Sequence, residues 1–192
     1  MEFGIYPLRE TGVNKMIVGA GEGLGLFEQG TDLTYAVRFN KQTFPLSKKT
    51  YDVWQLANMA EFDSSELPEE LQVPMDVVEQ ELRALSEQGL VLEWPTKPSK
   101  EFLAMYTLVP KGKIVKYEND EWVFKELMND TTIAFDILPT TIWRLANPFW
   151  TLETLFDNVV SITGYDEEEV IELFMKWILH LISRGFISLE KG

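Results

Sequence analysis

The hydrophobic pattern of this chain runs through one succession of elements twice. Leu33-Thr34-Tyr35-Ala36-Val37-Arg38-Phe39 and Trp122-Val123-Phe124 are rich in β-branched and aromatic residues, which predicts short strands. A helix follows the first at about 47–59, capped by Ser47, with Tyr51, Trp54 and Leu56 on its buried side. In the second succession Pro139-Thr140 opens the corresponding helix and Asn147-Pro148 closes it. A second helix is expected at 151–161, where Thr151 caps and Leu152, Leu155, Phe156 and Val159 recur at helical spacing. Its earlier counterpart is 64–72, broken by Pro68. Third helices start near Pro74 and Asp166 and end at Gly89 and Gly185, where glycine accepts positive φ at little cost. A strand follows each, at 90–93 and 186–189.

Residue identities support reading the two successions as an internal repeat. Val53-Trp54-Gln55-Leu56-Ala57-Asn58 recurs as Ile142-Trp143-Arg144-Leu145-Ala146-Asn147, an offset of 89 that also pairs Met16 with Met105 and Gly23 with Gly112. Leu85-Ser86-Glu87-Gln88-Gly89-Leu90-Val91 answers to Leu181-Ile182-Ser183-Arg184-Gly185-Phe186-Ile187 at an offset of 96, so the second copy is seven residues longer between these blocks. The expected organisation is a first module with N-terminal strands (1–94), a linker containing Pro95 and Pro98 (95–102), and a second module (103–192).

Three helices with a terminal strand pair define a winged-helix-like module, so the expected fold class is α+β, two such modules in tandem. The second copy reads Leu138-Pro139-Thr140-Thr141-Ile142-Trp143-Arg144-Leu145, then Thr151-Leu152-Glu153-Thr154-Leu155. It continues through Gly164-Tyr165-Asp166-Glu167-Glu168-Glu169-Val170 to Ser183-Arg184-Gly185-Phe186-Ile187. That succession resembles the PqqD-like peptide-binding domains, small winged-helix relatives that present leader peptides to modifying enzymes. The resemblance implies a fold and a peptide-binding role; it assigns no residue of this chain to a site.

Composition narrows the chemistry. The 192 residues are 45% hydrophobic and 25% charged, as in ordinary folded proteins. The longest uncharged run, 102–110, is far short of the roughly 20 residues that span a bilayer. The N-terminus, Met1-Glu2-Phe3-Gly4-Ile5-Tyr6, lacks the basic start and apolar core of a signal peptide. With no cysteine there is neither a disulfide framework nor a thiolate nucleophile, and the expected location is cytoplasmic. Seventeen basic against thirty-one acidic residues give a net charge of −14. Asp76, Glu79, Glu81 and Glu87 lie on the first third helix, and Asp166, Glu167, Glu168, Glu169 and Glu172 on the second. Acids there suit the helix dipole and repel phosphates from the element that would read DNA.

Several segments invite specific chemistry. Met16-Ile17-Val18-Gly19-Ala20-Gly21-Glu22-Gly23-Leu24-Gly25 has Leu24 where a dinucleotide fingerprint needs its third glycine, so a β-turn or hairpin is expected. His180, the only histidine, shares a helix face with Glu172 and Lys176 and reads as a polar stripe. No catalytic set, cofactor site or metal site is expected. Helix 170–182 is apolar around most of its circumference and must bury a second side against the first copy, a homodimer mate or another protein. Phe149 and Trp150 follow a helix in a loop, as binding anchors or as a lid on the core. Phe149, Trp150, Trp177 and Leu181 are therefore the partner-binding candidates, together with the edge strands of each module. Lys41, Lys48, Lys49, Lys111, Lys113 and Lys116 are the basic-face candidates. The favoured function is a non-enzymatic module that binds a protein or peptide. The competing class is a winged-helix DNA-binding transcriptional regulator that dimerises through helix 170–182.

Overall fold

A computed structural model describes residues 16–29, 32–59, 64–118, 121–125 and 132–192 of this mixed α+β chain. The first half starts with β1 (Ile17–Gly19) and an antiparallel meander, β2 (Glu22–Gln29), β3 (Asp32–Phe39) and β4 (Gln42–Leu46). Asn40 and Lys41 join β3 to β4 at φ 49° and 62°, the left-handed pair that a two-residue type I′ hairpin turn requires. Three helices follow, α1 (Lys48–Met59), α2 (Leu67–Leu71) and α3 (Met75–Glu87), then β5 (Val91–Glu93), which returns to pair antiparallel with β1.

The second half follows the same order. It comprises β6 (Tyr106–Pro110), the meander β7 (Lys113–Glu118), β8 (Glu121–Lys125) and β9 (Thr132–Phe135), helices α5 (Ile137–Leu145), α6 (Leu152–Thr163) and α7 (Glu167–Ser183), and β10 (Ile187–Lys191), which pairs with β6. Between the halves α4 (Lys100–Met105) begins inside the stretch read as a linker, capped by the Ser99 hydroxyl accepting from Phe102 N–H. Trp94 packs edge-on against Phe102 with centroids 5.6 Å apart, so the connection is tied to the core at this point.

Equivalent bonds recur in the two halves. Trp54 Nε1 donates to Ala20 O at 3.0 Å, and Trp143 Nε1 donates to Lys111 O at 2.8 Å. Ala20 N donates to Leu90 O, and Lys111 N to Phe186 O. After each third helix, Leu90 N–H bonds Leu85 O and Phe186 N–H bonds Leu181 O, both at 2.9 Å, across Gly89 and Gly185 in positive φ. These bonds match Gly21 with Gly112, φ 88° and 77°, instead of the Gly23–Gly112 pair expected from a constant offset. The strand ahead of the Trp helix is therefore shifted by two residues relative to that helix, one strand repeat, which keeps the same face inward.

Other boundaries also move. Asp136, not Pro139, opens α5: its carboxylate accepts Leu138 N–H at 3.2 Å, and Pro139 falls in the first turn, where its missing N–H costs nothing. Pro68 lies at the start of α2 for the same reason and does not break it. Ser47 and Thr151 cap as their sequence positions predict, and Asp166, expected near the start of its helix, caps it through its carboxylate. The residues from Met16 to Gly25 cross from β1 to β2 around a corner at Gly21, with no helix after them. No helix among the described residues is long and apolar enough to cross a membrane.

Side chains from both halves form one continuous core. In the second half Phe124 is its centre, meeting Trp143, Phe135 and Phe186 at 4.9, 5.2 and 5.9 Å between centroids. Helix α7 buries Val170, Phe174, Met175, Ile178, Leu179, Leu181 and Ile182. Its surplus apolar side is used within the chain, because α7 packs on α1 of the first half as well as on α5 and α6.

Candidate functional site

Backbone alternation decides which strand edges are available. In an antiparallel pair every second residue turns its N–H and C=O to the partner and the others turn theirs away. In β10, Phe186 O bonds Lys111 N and Gly192 N bonds Met105 O, so 186, 188, 190 and 192 serve β6. Residues Ile187, Leu189 and Lys191 face outward. That outer edge, expected to be open to an added strand, is met by the first half. Gly21 N donates to Leu189 O at 2.8 Å, and Lys191 N donates to Asn40 Oδ1 at 2.9 Å. Asn40 N in turn donates to Glu190 Oε2 at 2.6 Å. Long-range geometry closes this edge: the type I′ turn projects Asn40 onto a strand 150 residues away in sequence.

Charged side chains surround this seam. Lys111 Nζ lies 3.4 Å from Glu22 Oε1, and Arg38 also pairs with Glu22. Burial pushes the Glu22 carboxyl up, but the Arg38 hydrogen bond and the Lys111 and Arg38 charges outweigh it and hold its pKa below the usual range. Glu190 goes the other way: burial raises its pKa despite the Asn40 N–H. A carboxylate with a depressed pKa contributes stability above its unfolded value, about 4.3, and loses it as pH falls through the folded value. Glu22→Gln is therefore expected to destabilise the protein at neutral pH and to converge with the wild type under acid. Urea titrations of both proteins across that pH range check this; a difference that stays constant or grows on acidification contradicts it.

At β5 the picture is different. Ala20 N bonds Leu90 O and Trp94 N bonds Met16 O, so Leu90, Leu92 and Trp94 serve β1, and Val91 turns its backbone outward. Among the described residues the sheet has two strands, β1 and β5. A shallow groove runs along this place, lined by Ile17, Leu82, Arg83, Ser86, Val91, Leu92 and Glu93 from β1, α3 and β5. Pro95, without an N–H, follows at the position of Lys191 and keeps the edge short.

The aromatic loop divides its two residues. Asn147 Oδ1 accepts Phe149 N–H at 3.0 Å and Asn147 Nδ2 donates to Leu145 O at 2.8 Å, which ties the turn to the end of α5. Phe149 is left 89% exposed, while Trp150 is half-buried. The other candidates fare unequally. Leu181 is fully buried and is removed from the contact candidates: its side of α7 is interior. Trp177 is half-buried, packed edge-on to Phe135 and His180 at 6.1 and 5.5 Å. Among the basic candidates, Lys48 pairs with Asp52 at 2.7 Å, Lys49 with Glu81 at 3.2 Å, Lys111 with Glu22 and Lys116 with Glu118. Lys41 lies in the β3–β4 turn and Lys113 opens β7. Four of the six lysines thus sit beside carboxylates, on several elements. Among the described residues, no group of three or more His, Asp or Glu could hold a metal ion.

Comparison of the chain with protein-family models, with curated proteins and with solved structures found no match.

Proposed function

We propose that this protein is a non-enzymatic interaction module, two tandem winged-helix-like copies with an inserted meander in each, that receives an extended segment of a protein or peptide on β5. The carrying observation is the contrast between equivalent edges. In the second half the outer edge of β10 is occupied by the chain's own Gly21 and Asn40. In the first half, among the described residues, no further strand pairs with β5 at Val91, and a groove beside α3 borders it there. Strand addition obtains its affinity from main-chain hydrogen bonds and its selectivity from side-chain positions along the groove, here Leu82, Arg83 and Ser86. The resemblance of the second copy to PqqD-like domains agrees with a peptide ligand. Phe149 is a second anchor, held exposed by a turn that Asn147 ties down with two hydrogen bonds, and such preorganisation lowers the ordering cost of binding.

The test is a displayed random-peptide library selected on the intact chain, followed by affinity measurement of the selected peptides. Val91→Pro removes one outward N–H without removing a bond to β1. It is expected to weaken those peptides about fivefold or more, the range of one lost hydrogen bond. Peptides that bind the folded variant unchanged, or that select only on the Phe149 turn, would refute strand addition at β5.

A further inference from the structure

The third helices of the two halves differ most along one stripe. Carrying the offset of 96 through them sets Glu79, Arg83 and Ser86 of α3 against Met175, Leu179 and Ile182 of α7. The apolar three are buried, and α1 of the first half packs on α7. The polar three are exposed, and among the described residues no second-half helix packs comparably on α3. Where the stripe is charged, an apolar occupant would leave Glu79 and Arg83 buried and unpaired, which is costly. What docks beside α3 must therefore bring polar groups of its own.

Arg83 gives that requirement a sign. It lines the groove together with Ser86, Glu93 and the aliphatic residues Ile17, Leu82, Val91 and Leu92. Glu79 and Glu87 stand four residues to either side of it, the spacing at which helix ion pairs form. Among the described residues Arg83 nevertheless makes no ion pair or hydrogen bond. Its guanidinium keeps its full donor capacity beside apolar side chains, two of them, Ile17 and Val91, buried. We infer that the segment received at β5 carries an aspartate or glutamate whose carboxylate pairs with Arg83, set among aliphatic residues. The inference rests on the reading of β5 as the docking strand and adds what the segment must carry. The planar fork of arginine meets both oxygens of a carboxylate at once. Against a net charge of −14, direct contact with Arg83 is what favours a carboxylate, so the preference is confined to one position of the ligand.

The test selects peptides from a displayed random library on the intact chain and sorts them by their response to Val91→Pro. Peptides that this variant weakens are expected to share an Asp or Glu at one fixed position, with aliphatic neighbours. For one such peptide made synthetically, Arg83→Gln is expected to weaken binding about tenfold, as is replacing the acidic residue by its amide. Both changes together are expected to weaken it no more than either alone, because they remove one interaction. In a fresh selection Arg83→Glu is expected to reverse the preference to Lys or Arg at that position. Arg83 is exposed, so both variants are expected to keep the wild-type circular dichroism spectrum and unfolding midpoint, which separates lost binding from lost fold. Val91-dependent peptides without an acidic position, or with one indifferent to Arg83→Gln, overturn the inference and leave the β5 reading standing. Peptides that need Arg83 yet bind Val91→Pro unchanged overturn strand addition itself, and a library that yields no binder overturns both.

Discussion

Replacing Trp54 with Ala is expected to lower the free energy of unfolding by about 3–5 kcal/mol, the range for removing a large aromatic from a packed interior. The indole is 2% exposed. It stacks against Tyr51 at 5.6 Å between centroids, and Tyr51 itself meets Tyr35 at 5.1 Å. Backbone as well as side chains depends on it. The indole N–H satisfies Ala20 O, the carbonyl next to the corner that meets β10, and the six-membered ring lies close enough to Gly23 that a Cβ there would stand 2.8 Å from it. Alanine leaves a cavity between α1 and β2 and an orphaned carbonyl. Against a total stability of about 5–15 kcal/mol, this is a large fraction. Trp54→Phe separates the two parts: the ring volume is largely kept and the hydrogen bond is lost, for about 1–3 kcal/mol. Urea unfolding followed by circular dichroism checks both. A Trp54→Ala loss below about 1 kcal/mol, or equal losses in the two variants, would contradict this account of the site.

The tryptophans also show what kind of information a single sequence carries. Their helices were legible because the buried positions repeat at helical spacing within a dozen residues, and the caps Ser47 and Thr151 were legible because capping is local. Both third helices ended where glycine follows an apolar run. The meanders were only half legible. Strands at 33–39 and 122–124 stood out by their aromatic and β-branched residues, but β2, with its Gly23 and Gly25, and β7, with two lysines among six residues, do not carry a strand pattern. Pairing with β3 and β8 makes them strands; a bulge between Gly23 and Gly25, and another between Ile114 and Lys116, absorbs the irregularity.

The candidate site was legible in kind and not in place. That edge strands were the surfaces to watch followed from short terminal strands alone. Which edge is closed did not, because Asn40 meets β10 through contacts about 150 residues apart. One signal was present: Asn40-Lys41 between Phe39 and Gln42 is a two-residue turn sequence with Asn at its first position, where positive φ is tolerated. It would have placed the turn, though not its partner. Leu181 was misjudged for a related reason. Hydrophobicity around a whole helix shows that more than one side is covered, and α1 of the same chain does the covering.

Gly21→Ala is expected to cost about 3 kcal/mol or more, and the excess over an ordinary glycine replacement measures how tightly the corner is built. Gly21 has φ 88°, a conformation that costs an L-residue about 1–2 kcal/mol. The added Cβ would also stand 2.5 Å from Arg38 O, which is backbone and fixed in the β2–β3 ladder, and 3.0 Å from Phe39 Cβ. Overlap of that kind in a packed region adds about 1–3 kcal/mol because strands, not a flexible side chain, must shift. Gly25 is the internal control: its φ is 65°, yet a Cβ there meets nothing within 4 Å, so Gly25→Ala should show the conformational cost alone. The shift forced on Gly21 also bears on the seam, since its N–H reaches Leu189 O at 2.8 Å. Gly21→Ala should therefore accelerate exchange at its own amide and at Lys191, whereas Gly25→Ala should leave both unchanged. Equal stability losses in the two variants would mean that φ alone governs the corner; unchanged exchange at the seam in Gly21→Ala would mean that the corner and β10 are not mechanically coupled.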